Sequence, residues 1–205
     1  MSKKAILASC LRHGGYERPD LNETLYLHFK GFLRVENLVP YTNLRSLWLE
    51  SNNLRTIEGL SHLTGLRALY LQQNGLRDIR GLEGLSSLVT LNLSGNSLDD
   101  LSGLSHLPQL ETLNVSSNRL ESIEGVSELC ACSSLTNLDI GNNDLEDVGV
   151  VEEVLYKLTK LTHLVLQGNT FPRSVRHYRK SFIHALPRLV SLDDRPVFAD
   201  ERRVA

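Results

Sequence analysis

The residues of this chain able to do covalent or metal chemistry are seven histidines, three cysteines and the adjacent carboxylates Asp99–Asp100 and Asp193–Asp194. Their spacing does not suit that chemistry. Zinc ligands recur at short, fixed separations, whereas Cys130 and Cys132 have a single residue between them and the histidines are scattered. Neighbouring carboxylates on a turn point apart, which makes a poor acid–base couple and a good cap. There is no phosphate-binding glycine loop, no GxGxxG and no HExxH. The expectation is a chain with no catalytic residues, no metal and no cofactor. The remaining chemistry is non-covalent. Tyr26, Trp48 (the only tryptophan) and Tyr70 recur every 22 residues. Aromatic rings at such a period can stack on one another, and they can serve as anchors for a protein partner.

The elements that position those rings follow from a repeat. The pattern LxxLxLxxN begins at Leu44, Leu66, Leu88, Leu110, Leu135 and Leu161, with Val115 and Ile140 as apolar substitutes. The first three intervals are 22 residues and the next two are 25 and 26. One step back from Leu44 lies Asn22, with Leu25 and Leu27 in the paired positions, so "LNETLYLHFKGF" is a first coil in the same register. Strand side chains alternate, so Leu47 and Leu49 point inward and Trp48 outward. A single coil cannot bury its own apolar face, and coils must stack. The fold class is therefore α/β: a leucine-rich-repeat solenoid with about seven parallel strands on its concave face and 3₁₀ or α returns on its convex face. Asn52, Asn74, Asn96, Asn118, Asn143 and Asn169 form a structural ladder that bonds turn backbone. Lys30 replaces asparagine in the first coil, where there is no preceding neighbour to bridge.

Three segments are expected. Residues 1–20 hold an N-terminal capping helix and linker; Ser2 is its N-cap, Ile6, Leu7, Cys10 and Leu11 its apolar stripe, and Gly14 its end. Residues 21–172 are the repeats. Residues 173–205 form a C-terminal cap and tail, with Val175, Tyr178, Phe182, Ile183 and Leu186 at helical spacing. Of the two longer repeats, "VGVVEEVLYKL" (148–158) reads as a full α-helix and "CACSS" (130–134) as a longer loop. The three cysteines read as buried thiols.

The outward row then carries Tyr26, Trp48, Tyr70, Asn92, Asn114, Asp139 and Val165. The next outward row carries His28, Glu50, Gln72, Ser94, Ser116, Gly141 and Gln167. Tyr26, His28, Trp48, Glu50, Tyr70, Gln72, Asn92, Asn114 and Asp139 are the candidate partner-binding residues. Lys and Arg total 22 against 24 Asp and Glu, a formal net charge of −2. With carboxylates rather than cations on the concave rows, nucleic acid is not an expected partner. No apolar run is long enough to cross a bilayer and the N-terminus lacks a signal-peptide core, so a cytoplasmic protein is expected, not bound to membrane. In isolation a monomer is expected.

The 22-residue form "L..L.LxxN.L..I.GL..L" resembles repeats of a regulatory subunit of protein phosphatase 1, and "YRKSFIHALPRLVSLDDRPVF" (178–198) resembles a cap also found in a spliceosomal protein. "LNETLYLHFKGF" (21–32), "LWLESNNL" (47–54) and "LDDRPVF" (192–198) select further: they resemble the dynein axonemal assembly factor 1 family. That resemblance implies a cytoplasmic, non-catalytic scaffold for preassembly of ciliary or flagellar dynein arms. Its partners would be axonemal dynein subunits, chaperones or co-assembly factors. A phosphatase-targeting subunit and a spliceosomal adaptor are the alternatives. Family members continue past the cap with a charged region, whereas this sequence stops at "ADERRVA".

Overall fold

The computed structural model describes residues 1–204. In each coil a three-residue strand holds one inward leucine between two outward residues. These strands are β1 (Thr24–Tyr26), β2 (Ser46–Trp48), β3 (Ala68–Tyr70), β4 (Thr90–Asn92), β5 (Thr112–Asn114), β6 (Asn137–Asp139) and β7 (His163–Val165). They pair in parallel and in chain order, Leu25 opposite Leu47 and Tyr26 opposite Trp48, with the same register through β7. The cap adds β8 (Ser191–Leu192), parallel to β7, and β9 (Arg195–Pro196), antiparallel to β8. The sheet therefore has nine strands, two more than the seven the repeats predict. The inward leucines of all coils form one continuous core; Leu47, Leu49, Leu69, Leu71, Leu91 and Leu93 are fully buried.

The asparagine ladder ties each coil to the one before it. Asn118 donates Nδ2 to the Leu93 carbonyl of the previous coil (3.1 Å) and to Val115 of its own (2.9 Å), and accepts from Leu98 N (3.0 Å). Asn74, Asn96, Asn143 and Asn169 repeat this pattern. Asn52 does the same for the first coil, accepting from Lys30 N and Phe32 N. Each asparagine serves the turn in front of it, so the first coil needs none and Lys30 is exposed. At the other end Asp193 closes the last strand, its Oδ1 accepting from Leu166 N (2.7 Å) and Gln167 N (3.0 Å), where an earlier coil pairs Ile140 N with the Val165 carbonyl. One of the two carboxylate pairs thus supplies a cap.

The convex returns differ from the sequence expectation in detail. Early coils turn through separate i→i+3 bonds, such as Leu63 N to Leu60 O and Leu66 N to Leu63 O, without forming a 3₁₀ helix. The segment after β5 forms α2 (Ile123–Val126) and a 3₁₀ helix over Ser127–Ala131; of the loop expected over 130–134, Cys130 and Ala131 end that helix and 132–134 form the turn after it. Cys132 is buried beneath it, its thiol pushed up to about 11 by burial. Cys130 is exposed, contrary to the buried-thiol reading, because helical spacing turns it away from the core. The expected full helix over 148–158 is a five-residue α3 (Gly149–Glu153) followed by a 3₁₀ turn over Leu155–Lys157. Val150 and Val151 face inward from α3, Val154 from the junction and Leu155 from the 3₁₀ turn.

Both ends are covered. Helix α1 (Lys3–Arg12) is capped by Ser2, whose Oγ accepts from Ala5 N. It buries Ile6, Ser9 and Cys10, while Leu7 and Leu11 stay largely exposed, so its apolar stripe is narrower than its sequence suggests. Helix α4 (Tyr178–Ala185) buries Phe182 and Ile183, and the Tyr178 hydroxyl donates to Asp193. Helix α5 (Ala199–Arg203) is held to α4 by Arg179, which donates Nε and Nη2 to Glu201 (2.8 and 2.9 Å) and Nη2 to the Pro196 carbonyl.

Two predictions follow from this architecture. Asn118→Ala leaves buried backbone groups of two coils unpaired and costs about 2–4 kcal/mol in urea denaturation; a loss under about 0.5 kcal/mol contradicts the ladder's role. The bond from Arg179, aided by Phe198 N, lowers the Glu201 carboxyl from 4.5 to about 2. Its contribution is therefore present above pH 4.5 and lost as pH falls through about 2. The α5 amide resonances should titrate in that window, and Glu201→Gln should abolish the titration.

Candidate protein-docking site on the concave face

The inward leucines fix which residues face the concave side, and parallel pairing sets them side by side about 4.8 Å apart. Tyr26, Trp48 and Tyr70 are half-buried on this face. Trp48 lies flat on Tyr70, with ring centroids 3.8 Å apart and planes at 16°. Tyr26 is offset from Trp48 at 5.8 Å and 30°. The rings thus make one stack across the first three coils, which holds them at low conformational cost. The next outward row brings together His28, Glu50 and Gln72; His28 Nδ1 lies 3.7 Å from Glu50 Oε1.

The later coils are built differently. Asn92 accepts from Ser94 N, Asn114 accepts from Ser116 N and its side-chain hydroxyl, and Asp139 accepts from Gly141 N. Asn114 Nδ2 also donates to Asp139 Oδ2 at 3.1 Å. These three candidates use their polar atoms on one another and on their own strands. Of the nine candidate residues, the first six gather into one patch and the last three form a separate, internally bonded polar tract. Among the described residues no group of three or more His, Cys, Asp or Glu side chains could hold a metal ion, and no helix is long and apolar enough to cross a membrane. His106 bonds only the local Gly103 carbonyl.

A curved parallel sheet with one inward leucine per strand and an asparagine at the corner of every coil after the first defines a repeat protein, and the chain belongs to the leucine-rich-repeat family. Residues 84–205 match the family described as leucine-rich repeat, and residues 42–84 match the one described as leucine-rich repeats (2 copies). Within that family it groups with the dynein axonemal assembly factor 1 proteins. It is 60% identical over 205 residues to human dynein axonemal assembly factor 1 and 56% identical over 205 residues to leucine-rich repeat-containing protein ODA7 of Chlamydomonas reinhardtii. Both matches cover the whole of this chain, which spans 28% of the human protein and 47% of the algal one. Among solved structures, an internalin C2 of Listeria monocytogenes shares the fold, at 23% identity and a TM-score of 0.60 over 81% of this chain and 84% of that one.

Two residues of the patch escape reasoning from the repeat. His13, at the end of α1, places its ring 4.8 Å from that of Tyr26, extending the ring row onto the N-terminal helix. A cleft of about 420 Å³ opens beside it, between α1 and the first coil, lined by Ser9, Cys10, His13, Tyr16, Asn22 and Tyr26 among others. No spacing rule links a capping helix to a strand row, so nothing in the sequence pointed there. Phe29 did carry a signal. Every coil turns its corner through a left-handed residue: Phe29, Ser51, Gln73, Gly95, Ser117, Asn142 and Gly168. All but the first are small or polar. A bulky aromatic is disfavoured in that conformation, yet Phe29 holds φ at 53°, is 71% exposed as a residue, and sets its ring edge-on to His28. That conformation costs stability relative to the small or polar residues at the other corners. Phe29→Asn should therefore raise unfolding stability by about 0.5–1 kcal/mol. A loss of stability on denaturation would show instead that the ring packs.

Proposed function

We propose that this chain is a non-catalytic docking module in the cytoplasmic preassembly of axonemal dynein arms. It holds a partner protein against the concave face of its first three coils. The partner is an axonemal dynein subunit, a chaperone or a co-assembly factor. One observation carries the siting: the stack of Tyr26, Trp48 and Tyr70, half-buried and pre-ordered, on a face whose later coils are mostly polar. Aromatic anchors dominate binding energy where rings are rigid, because little side-chain entropy is then lost on association. The role in dynein assembly is supported by similarity, over the whole of this chain, to human dynein axonemal assembly factor 1, of which the chain spans 28%. The concave rows hold Glu50 and Asp139 and no Lys or Arg, which disfavours nucleic acid.

Affinity capture from the cytoplasm of ciliated cells, read by mass spectrometry, tests this. The wild-type chain should recover axonemal dynein chains or their assembly chaperones. Trp48→Ala should keep the melting profile of the fold and lose those proteins, a weakening of about 2 kcal/mol or more. Retention of the same partners by Trp48→Ala would remove the strip as the docking site. Recovery of a phosphatase catalytic subunit or spliceosomal proteins in place of dynein components would overturn the assembly role.

A further inference from the structure

The row beside the ring stack is chemically unfinished. His28 Nδ1, Glu50 Oε2 and Gln72 Oε1 are buried side-chain atoms with no hydrogen-bond partner within the protein. They belong to consecutive coils and lie in register, as shown by the bonds from Phe29 N to Glu50 O and from Ser51 N to Gln72 O. The Glu50 side chain is only 15% exposed, so water reaches it poorly. A shielded acceptor without a donor is costly. The equivalent tract on the later coils shows that this fold can bond such groups internally, as Asn114 and Asp139 do. Two of the three open atoms accept hydrogen bonds and cannot donate them, so what completes them must bring N–H or O–H groups.

Charge narrows the choice. The two outward rows of the concave face, Tyr26 to Val165 and His28 to Gln167, contain two carboxylates, Glu50 and Asp139, and no lysine or arginine. An anionic ligand would meet like charge there, and a cationic one finds its complement. Arginine suits the site better than lysine. Its planar guanidinium presents five N–H groups in a fork that can reach acceptors on two adjacent strands, and its weak hydration tolerates aromatic rings on its flank. Resting on the concave-face reading above, we propose that the first three coils bind a basic segment of the partner polypeptide, with an arginine side chain seated on Glu50 and Gln72 beside the Trp48–Tyr70 stack.

Trp48 is the only tryptophan, so its fluorescence reports directly on this site. The test is a titration of the folded chain with a capped alanine–serine peptide carrying one central arginine, and with the same peptide carrying citrulline, its uncharged isostere. The expected result is a saturable change with the arginine peptide, weakened by added salt, and binding about tenfold or more weaker for citrulline. Glu50→Gln, nearly isosteric, should keep the melting temperature and abolish the preference for arginine. No saturable response, or equal affinity for the two peptides, overturns the proposal. The two readings fail separately. If Trp48→Ala loses its captured partner while arginine is not preferred, the docking surface stands without this chemistry. If arginine is preferred while Trp48→Ala keeps its partners, the pocket stands and the docking surface falls.

Discussion

A coil of about 22 residues has too little interior to bury its own leucines, so every coil depends on contact with the next. That dependence is met twice. The inward leucines of adjacent strands stack into one core, and each asparagine bonds the backbone of the coil before it. Together they leave the strands a single register, because a slip by one residue would turn the leucines to water and the outward residues inward. The functional face is a consequence. Rings 22 residues apart in sequence must lie on neighbouring strands, and Trp48 meets Tyr70 because Leu47 and Leu49 have no alternative position.

The concave face is divided into two halves by its hydrogen bonding. From Asn92 onward the polar groups close on one another, which makes that half stable and chemically quiet. The first three coils instead carry a ring stack, three open polar atoms and an aromatic residue at a left-handed corner. The stack adds cross-strand contact, whereas the open polar atoms and the left-handed aromatic lower stability relative to what the repeat elsewhere achieves. A solenoid spreads its stability over many similar interfaces, so it can carry such a patch at one end without unfolding. The adjoining helix α1 shields the exposed end of the first coil and brings His13 into the same surface.

Much of this was legible beforehand, for a definite reason. The repeat imposes period two within the strand and period 22 between strands, and both are visible as letters. Strand order, the concave rows, the asparagine ladder and the reason for Lys30 all derive from those two periods. What was hidden depends on geometry that no period encodes. The tight contact at Trp48–Tyr70 and the looser one at Tyr26–Trp48 reflect local ring angles. The open atoms of His28, Glu50 and Gln72 emerge only when every neighbouring donor is placed. The convex insertions were only partly anticipated, for a similar reason. In a narrow coil a 3₁₀ turn brings apolar residues inward as well as an α-helix does, and sequence spacing does not separate the two over so few residues.

The central claim is that a partner sits on the ring stack of the first three coils, and site-specific photocrosslinking reads this most directly. A benzophenone amino acid placed at Tyr70, on the concave face, is compared with one at Glu58, on the convex side of the same coil region, in ciliated cells. The account predicts covalent adducts with one or a few dynein-assembly proteins from position 70 and none of those from position 58. The same adducts from position 58 alone would put the partner on the opposite face and contradict it.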